Sequence, residues 1–222
     1  MTPVRRGAVR GGRAAAPKRP RDLAVVFVDI EGCARLCEEL PLREMNAVIE
    51  TYFSRYLDVV HRAGGEVTEV LGDGLLALFE RGDLKRCVEA GFAAAVGIRE
   101  QTRALNERRR GRHDPITVNI GLNAGRALVG FTRLRGQSGE RRVYAATGPV
   151  TNVAARLCAL ATGGRILTTR TTARLLPAGC DCHSRGRRSL KNVSGPVEVV
   201  EIRPGRAGRA GSNQRRRQVR HG

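Results

Sequence analysis

The stretch that decides the fold is LAVVFVDIEG, residues 23–32. Its first six residues are uncharged and mostly large or β-branched, which is the composition of a strand buried on both faces. Asp29 follows at the end of this strand, before a segment that is typical of a helix. A carboxylate there needs a partner, because burying a charge alone is costly. If that partner is only the set of backbone N–H groups at the helix start, Asp29 is a helix cap.

A second acid changes this interpretation. In EVTEVLGDGLLALFE, residues 66–80, two β-rich runs flank the sequence GDG, which predicts a tight hairpin with Asp73 at its tip. If the first strand pairs beside this hairpin, Asp29 and Asp73 converge at one end of the sheet. Two converging carboxylates repel each other unless a cation lies between them, and oxygen ligands suit Mg²⁺ or Mn²⁺. The turn at residues 30–34 adds backbone amides at a helix N-terminus, so a nucleoside triphosphate is the expected ligand.

A polar pair on a later helix is the third candidate feature. The sequence PVTNVAARL begins a helix at Pro149, which suits a first helical turn, and Gly163-Gly164 closes it. Asn152 and Arg156 are four residues apart and therefore share one face, whereas the remaining face is apolar. The pair alone is compatible with a solvated helix surface. Together with the two carboxylates, it is suited to orienting a ribose oxygen and stabilising phosphoryl charge.

The order of elements predicts an α/β (α+β) fold with a ferredoxin-like βααββαβ core, a mixed, mostly antiparallel sheet and flanking helices. Apolar spacing predicts helices at about 32–40, 41–63 and 83–108. Two separate strands are predicted at 115–122 and 126–130, and residues 131–142 read as a loop or exposed arm. A short helix and further strands follow the Asn152 helix.

Charge separates the two ends of the chain from its centre. Of the 40 basic residues, fourteen lie in segments 1–21 and 203–222, which contain no acid, and this leaves 26 bases against 21 acids between them. Both segments lack apolar periodicity, so the sequence predicts disordered basic tails around a domain at 22–202. Such tails suit contacts with polyanions, although an arginine-biased composition alone also explains them.

Membrane and disulfide signals are weak in this sequence. No stretch approaches the roughly 20 apolar residues of a membrane span, and no apolar signal core follows the first arginines, which predicts a cytoplasmic protein. The six cysteines form no CxxC pair, and the C-x-C spacing of Cys180 and Cys182 fits poorly with structural zinc. Reduced structural thiols are therefore expected.

With these motifs in place, the sequence resembles the catalytic domain of class III adenylate and guanylate cyclases. The resemblance covers residues 22–202, and its motifs occur in the family's order and spacing. The matching segments are VFVDIEGCARL (26–36), EVLGDGLLALF (69–79), NIGLNAGRALVG (119–130), GPVTNVAARL (148–157) and LKNVSGPVEVVEI (190–202).

The resemblance implies a homodimer with composite active sites and two Mg²⁺ or Mn²⁺ ions per site. Asp29 and Asp73 match the metal-binding carboxylates, and the carbonyl of Ile30 matches a backbone metal ligand. The turn that follows, with Gly32 and Cys33, matches the substrate-binding phosphate turn. The partner chain would supply the remaining catalytic groups, and residues 131–142 would form the dimer arm.

The same resemblance assigns those remaining groups. Asn152 and Arg156 match the transition-state pair, and Lys191 matches a lysine that binds phosphate. The reaction implied is attack of the ribose 3′-oxygen on the α-phosphorus of ATP or GTP, with pyrophosphate as the leaving group. The product is the 3′,5′-cyclic nucleotide used in intracellular signalling.

The resemblance leaves the choice of base open. Glu69 occupies the position that reads the purine, and its carboxylate suits the N1–H and N2–H₂ donors of guanine. Ala145 occupies the partner position and can neither donate nor accept a hydrogen bond. A weakly active or inactive module that binds nucleotide or dimerises is therefore an alternative, and a nucleic-acid-binding protein acting through its basic tails is another.

Overall fold

The central strand of the sheet is the one predicted from residues 23–32. The computed structural model describes residues 18–109, 111, 114–137 and 139–203. The strands are β1 Arg19–Ile30, β2 Glu66–Leu71, β3 Gly74–Phe79, β4 Val118–Gly136, β5 Gly139–Thr147, β6 Ile166–Thr169, β7 Asp181–Ser189 and β8 Pro196–Arg203. The helices are α1 Cys33–Glu39, α2 Leu42–Arg62, α3 Leu84–Arg108, α4 Pro149–Leu160 and α5 Arg170–Ala173.

The strands form one mixed sheet in the order β2-β3-β1-β4-β6-β8-β7, and β5 pairs with β4 beside this path. β4 and β6 are parallel, whereas every other described pairing is antiparallel. The predicted α+β fold, with its ferredoxin-like βααββαβ core and mostly antiparallel sheet, is confirmed. This order places β1 between β3 and β4, so the end of β1 lies beside the hairpin that carries Asp73.

β1 is buried on both faces, as its composition predicts. Ala24 and Val26 belong to the core on the face that α2 and α3 cover, whereas Leu23 and Val25 belong to the core on the face that α4 covers. All four side chains have no exposed surface. Burial at this level gives the strand one register, because a slip by one residue would exchange its two faces.

Two predicted boundaries differ from the structure. β1 begins at Arg19, so residues 19–21 of the predicted tail pair with β4 instead. The strands predicted at 115–122 and 126–130 form the single strand β4, because β1 supplies an unbroken backbone partner from Ile30 back to Arg19. Backbone pairing thus continues through the polar residues of β4 at which the sequence suggests a break.

The stretch predicted as a loop or exposed arm, residues 131–142, is a hairpin. β4 continues to Gly136 and β5 starts at Gly139, with these two residues opposite each other. β5 and β7 are not evident from the sequence, because both are mostly polar and exposed. Arg203, the first residue of the second predicted tail, ends β8, and the rest of both tails lies outside the described residues. No described helix is both long and apolar enough to span a membrane.

Candidate active site

The pairing of β1 with β3 brings Asp29 and Asp73 to the same end of the sheet. Asp29 lies opposite Gly74 in the register, and Asp73 occupies the turn directly before it. The Ile30 N–H donates to the Asp73 carbonyl oxygen at 3.2 Å, which ties the end of β1 to this turn. Gly72 has a φ of 61°, a conformation that glycine adopts without strain, so the turn can be as short as two residues.

The two carboxylates influence each other electrostatically. Burial raises the pKa of Asp29, and the negative charge of Asp73 raises it further. Cys33 is buried at the start of α1, where the charge of Asp73 acts on its thiol. Burial, followed by the charge of Asp73, raises the pKa of the Cys33 thiol to about 12. The thiol therefore stays protonated and uncharged at neutral pH.

This arrangement fits a divalent cation. Within the described residues, no lysine or arginine forms an ion pair with either carboxylate. No positively charged side chain of these residues therefore offsets the repulsion between Asp29 and Asp73. The same part of the chain contains no group of three or more His, Cys, Asp or Glu side chains suited to a metal ion. An ion held here would complete its shell with backbone and substrate oxygens, as Mg²⁺ commonly does.

Glu31 is not a third carboxylate of this site. Its side chain accepts a hydrogen bond of 2.6 Å from the Gly163 N–H, and its own N–H donates to the Thr117 carbonyl at 2.9 Å. Glu31 therefore fastens the turn at Gly32, whose φ is 71°, to the loop after α4. Sequence reasoning missed this role, because Glu31 and Gly163 are 132 positions apart.

A second cluster contains Asn152, Arg156 and Lys191. The Arg156 Nε–H donates to the Lys191 carbonyl oxygen at 3.1 Å, which joins α4 to the loop before β8. Asn152 is exposed one turn earlier on α4. It lines a cavity of about 640 Å³ between α4 and the same loop. The residues around this cavity are Ala146, Thr147, Gly148, Pro149, Thr151, Asn152, Val153, Asn192, Val193 and Ser194.

Close packing fixes α4 against the sheet. A Cβ atom on Gly121 of β4 would lie 2.1 Å from the Ala154 carbonyl oxygen, so only glycine allows the helix to come this near. Cys158 is buried on this face of α4, and its thiol donates to the Asn119 carbonyl at 3.3 Å. Burial, followed by the charge of Asp29, raises the pKa of Cys158 to about 12. Cys158 lines a pocket together with Asp29 and with Ala155 and Ala159 of the same helix.

Arg156 leaves α4 in another direction. It lies two residues before Cys158, and two residues correspond to about 200° around an α-helix. Its guanidinium instead bonds the loop before β8, at the Lys191 carbonyl. Among the contacts of the described chain, no hydrogen bond or ion pair joins the carboxylate cluster to the Asn152, Arg156 and Lys191 cluster.

The two predicted base-reading residues lie on β2 and β5, which contact each other but are not paired in the sheet. Glu69 is half-buried on β2, directly after an irregularity that shifts the register between Val67 and Glu69. Ala145 is half-buried on β5, opposite Gly130, and β2 contacts β5. Bulges of this kind often re-aim a side chain next to an active site. Ala145 still offers no polar atom beyond its backbone.

The whole folded region matches one protein family. Residues 16–203 match the family model described as the adenylate and guanylate cyclase catalytic domain. The chain therefore belongs to this family, and the predicted resemblance is confirmed.

Solved structures of cyclases share the fold. The adenylyl cyclase CyaB from P. aeruginosa has a TM-score of 0.79 at 24% identity, covering 86% of this chain and 98% of that chain. The guanylyl cyclase Cya2 has a TM-score of 0.69 at 26% identity, with 86% and 95% covered. The guanylate cyclase domain of RhGC from Catenaria anguillulae, solved in complex with GTP, has a TM-score of 0.71 at 16% identity, with 84% and 99% covered. The matches include both adenylyl and guanylyl cyclases.

Curated relatives are longer proteins. The uncharacterized proteins Rv1319c and Rv1318c of Mycobacterium tuberculosis are each 32% identical to this chain, over 142 and 141 residues respectively. Each alignment covers 64% of this chain, which spans about a quarter (24%) of each relative's length.

Proposed function

We propose that the protein is a nucleotide cyclase, which converts ATP or GTP to the 3′,5′-cyclic nucleotide and pyrophosphate. The observation that carries the proposal is the convergence of Asp29 and Asp73, from strands far apart in sequence, at one end of the sheet. The charge of one carboxylate raises the pKa of the other, and no basic side chain of the described residues offsets it. A pair held in this way is suited to a divalent cation beside a triphosphate.

Asp29, Asp73 and the carbonyl of Ile30 are the groups that would hold Mg²⁺ or Mn²⁺. The chemistry that such ions supply when bound is stabilisation of the 3′-alkoxide and of charge on the triphosphate oxygens. The Cys33 thiol stays protonated beside Asp73, so it adds no negative charge to the carboxylate pair. The pairing of the Ile30 N–H with the Asp73 carbonyl fixes the backbone on which both carboxylates stand.

The second cluster provides the groups for phosphoryl transfer. The 3′-hydroxyl gives its proton to solvent water and its oxygen forms a bond to the α-phosphorus, while the bond from that phosphorus to the bridging oxygen of pyrophosphate breaks. In this step Arg156 stabilises charge on the α-phosphate, Asn152 orients the ribose and Lys191 binds the leaving phosphates. The contact between Arg156 and the Lys191 carbonyl ties α4 to the loop that carries Lys191.

Two copies of the chain are needed to complete one site. Within one chain, Arg156 bonds the Lys191 carbonyl and makes no hydrogen bond or ion pair with Asp29 or Asp73 among the described residues. A second protomer related by a twofold axis would present its Arg156 to Asp29 and Asp73, and two equivalent composite sites would result. The hairpin over residues 131–142 extends from β4 in a position suited to a dimer arm.

Glu69 and Ala145 leave both purines as candidate substrates. The Glu69 carboxylate favours guanine, because guanine offers two N–H donors where adenine N1 is an acceptor. Ala145 supplies no side-chain hydrogen bond to either base. With only one polar side chain for base recognition, discrimination between GTP and ATP is expected to be weaker than it would be with two.

Product identification tests the proposal directly. The purified protein is incubated with Mn²⁺ and either ATP or GTP, and the product is identified by mass. A cyclic nucleotide together with pyrophosphate is expected, and the Asp73→Ala variant should form neither. Binding of both nucleotides without cyclic product would contradict the enzymatic proposal and favour a nucleotide-binding module.

A further inference from the structure

Asn192 has an unusual backbone conformation. Its φ is 61°, and every other described residue with a positive φ is a glycine. A left-handed conformation costs an L-residue roughly 1–2 kcal/mol, less for asparagine, and residues held in this way often lie at functional sites. The backbone conformation of Asn192 therefore makes it a candidate functional residue.

The position of Asn192 places it beside the second cluster. It directly follows Lys191, whose carbonyl accepts the hydrogen bond from Arg156 at 3.1 Å. It is exposed and lines the cavity of about 640 Å³ that Asn152 also lines. In the described part of the chain, the Asn192 amide has no hydrogen-bond partner, so its two N–H donors are available to a ligand.

We propose that Asn192 is a substrate-binding residue, whose side-chain amide donates a hydrogen bond to a phosphate oxygen of the nucleoside triphosphate. This inference rests on the proposed function of the same cavity. The ligand class follows from the neighbours, because Asn192 directly follows Lys191, the predicted phosphate-binding residue, and lines the same cavity as Asn152. A neutral donor next to this lysine in the chain adds a directed hydrogen bond to an anionic oxygen without adding charge repulsion.

A purely conformational explanation competes with this role. After glycine, asparagine is the residue best tolerated in a left-handed turn, so Asn192 could serve the turn alone. The two explanations predict opposite results for Asn192→Gly. Glycine keeps the left-handed backbone without strain and removes only the amide.

For Asn192→Gly, we expect KM for the nucleotide to rise about tenfold, because a hydrogen bond to a charged group is lost. The kcat should change by less than about twofold, since the phosphate is held in both the ground and the transition state. The melting temperature should be unchanged or higher. Activity equal to that of the wild type in this variant would overturn the proposal.

Asn192→Ala is the matched control. It removes the same amide but leaves a side chain that is strained at φ 61°. We expect the same rise in KM as for glycine, together with a lower melting temperature. If KM instead follows the melting temperature across the two variants, the effect comes from the turn and the proposal is wrong.

Asn192→Asp tests whether the partner is anionic. Aspartate keeps the size of the side chain and replaces both donors with a negative charge. The rise in KM should exceed that of Asn192→Gly, and the inhibition constant of pyrophosphate should rise in parallel. A smaller effect than in the glycine variant would contradict a phosphate partner.

Direct binding separates this inference from the proposed function. The dissociation constants of Mn²⁺-ATP and Mn²⁺-GTP are measured by calorimetry for the wild type and the three variants. If the wild type binds nucleotide but forms no cyclic product, the cyclase proposal fails, and weaker binding by Asn192→Gly still supports the contact. If the wild type is an active cyclase and the variant binds equally well, only the Asn192 proposal fails.

Discussion

The carboxylate cluster and the α4 cluster are built in different ways. Asp29 and Asp73 are brought together by pairing between β1 and β3, and their surroundings are buried enough to raise the pKa of Asp29. Asn152 and Arg156 are placed by helical spacing, and one backbone contact ties Arg156 to the loop at Lys191. The first cluster is thus set by long-range pairing, and the second by local geometry.

This difference suggests what each cluster can do alone. The carboxylates are already close together within one chain, so a single protomer has the protein groups for a cation. Among the described residues, the α4 cluster makes no hydrogen bond or ion pair with these carboxylates. Each cluster is therefore formed within one chain, but neither contains all the groups that the reaction needs. The proposed composite site would bring the two clusters together from different protomers.

Removing one carboxylate is expected to have the largest effect. For Asp73→Asn, cyclase activity with Mn²⁺ should fall about a thousandfold or more, because the charge stabilisation supplied through bound ions is worth several kcal/mol. The melting temperature should not fall, since the repulsion of Asp29 is relieved. Activity and thermal unfolding are measured on the same preparation.

The matched control for this experiment is Asp58→Asn. Asp58 is an exposed carboxylate on α2 whose nearest cation, Arg55, is 3.7 Å away. Exposed pairs of this kind contribute little to stability, so both activity and melting temperature should stay near the wild-type values. Comparable losses in the two variants would mean that the carboxylate cluster has no special role.

Mixing two inactive variants tests whether the clusters act across a dimer. Asp73→Ala and Arg156→Ala are expected to be inactive separately, but a mixed dimer contains one site with both residues intact. With random assembly, about a quarter of the wild-type activity should return, because half of the dimers are mixed and each has one working site. Activity is measured after refolding or subunit exchange, and mixed dimers are verified with two affinity tags. Verified mixed dimers without activity would refute the shared site.

Features set by local spacing can be predicted from the sequence, whereas features set by long-range pairing cannot. The burial of β1, the hairpin at Asp73 and the shared face of Asn152 and Arg156 follow from local composition and spacing. The length of β4 does not, because its continuation depends on the partner strand β1.

Other features depend on contacts that no local pattern indicates. Glu31 bonds to Gly163, which is 132 positions away, and Asn192 adopts a conformation that the sequence suggests only weakly. The arginine-rich strand β7 lies at the edge of the sheet, and its mostly exposed side chains show no apolar alternation. Such features are defined by tertiary pairing, which overrides local propensity.

Substitution of the two predicted base-reading residues, Glu69 and Ala145, tests whether they select the purine. In Glu69→Lys/Ala145→Asp, lysine donates to adenine N1 and aspartate accepts from the adenine amino group. The ratio of kcat/KM for ATP to that for GTP should rise about a hundredfold, since two hydrogen bonds of about 1 to 1.5 kcal/mol each are exchanged. Each single variant should give part of the shift. An unchanged ratio with retained activity would show that these strands do not contact the base.

The smallest effect concerns the pH dependence of stability. Burial and the charge of Asp73 raise the pKa of Asp29, so the folded state keeps a proton that the unfolded chain has already lost. Stability therefore falls as the pH rises through this range, and the penalty persists at neutral pH. The substitution Asp29→Asn removes this stability penalty.

We expect Asp29→Asn to melt about 2 °C above the wild type at pH 7, with the difference shrinking toward zero near pH 4. A difference that grew toward acidic pH would contradict the raised pKa. Mn²⁺ provides a second comparison at pH 7, because it should raise the melting temperature of the wild type and have little effect on Asp29→Asn. If Mn²⁺ stabilised both proteins equally, the ion would be bound elsewhere, and the convergence of the two carboxylates would have no role in holding it.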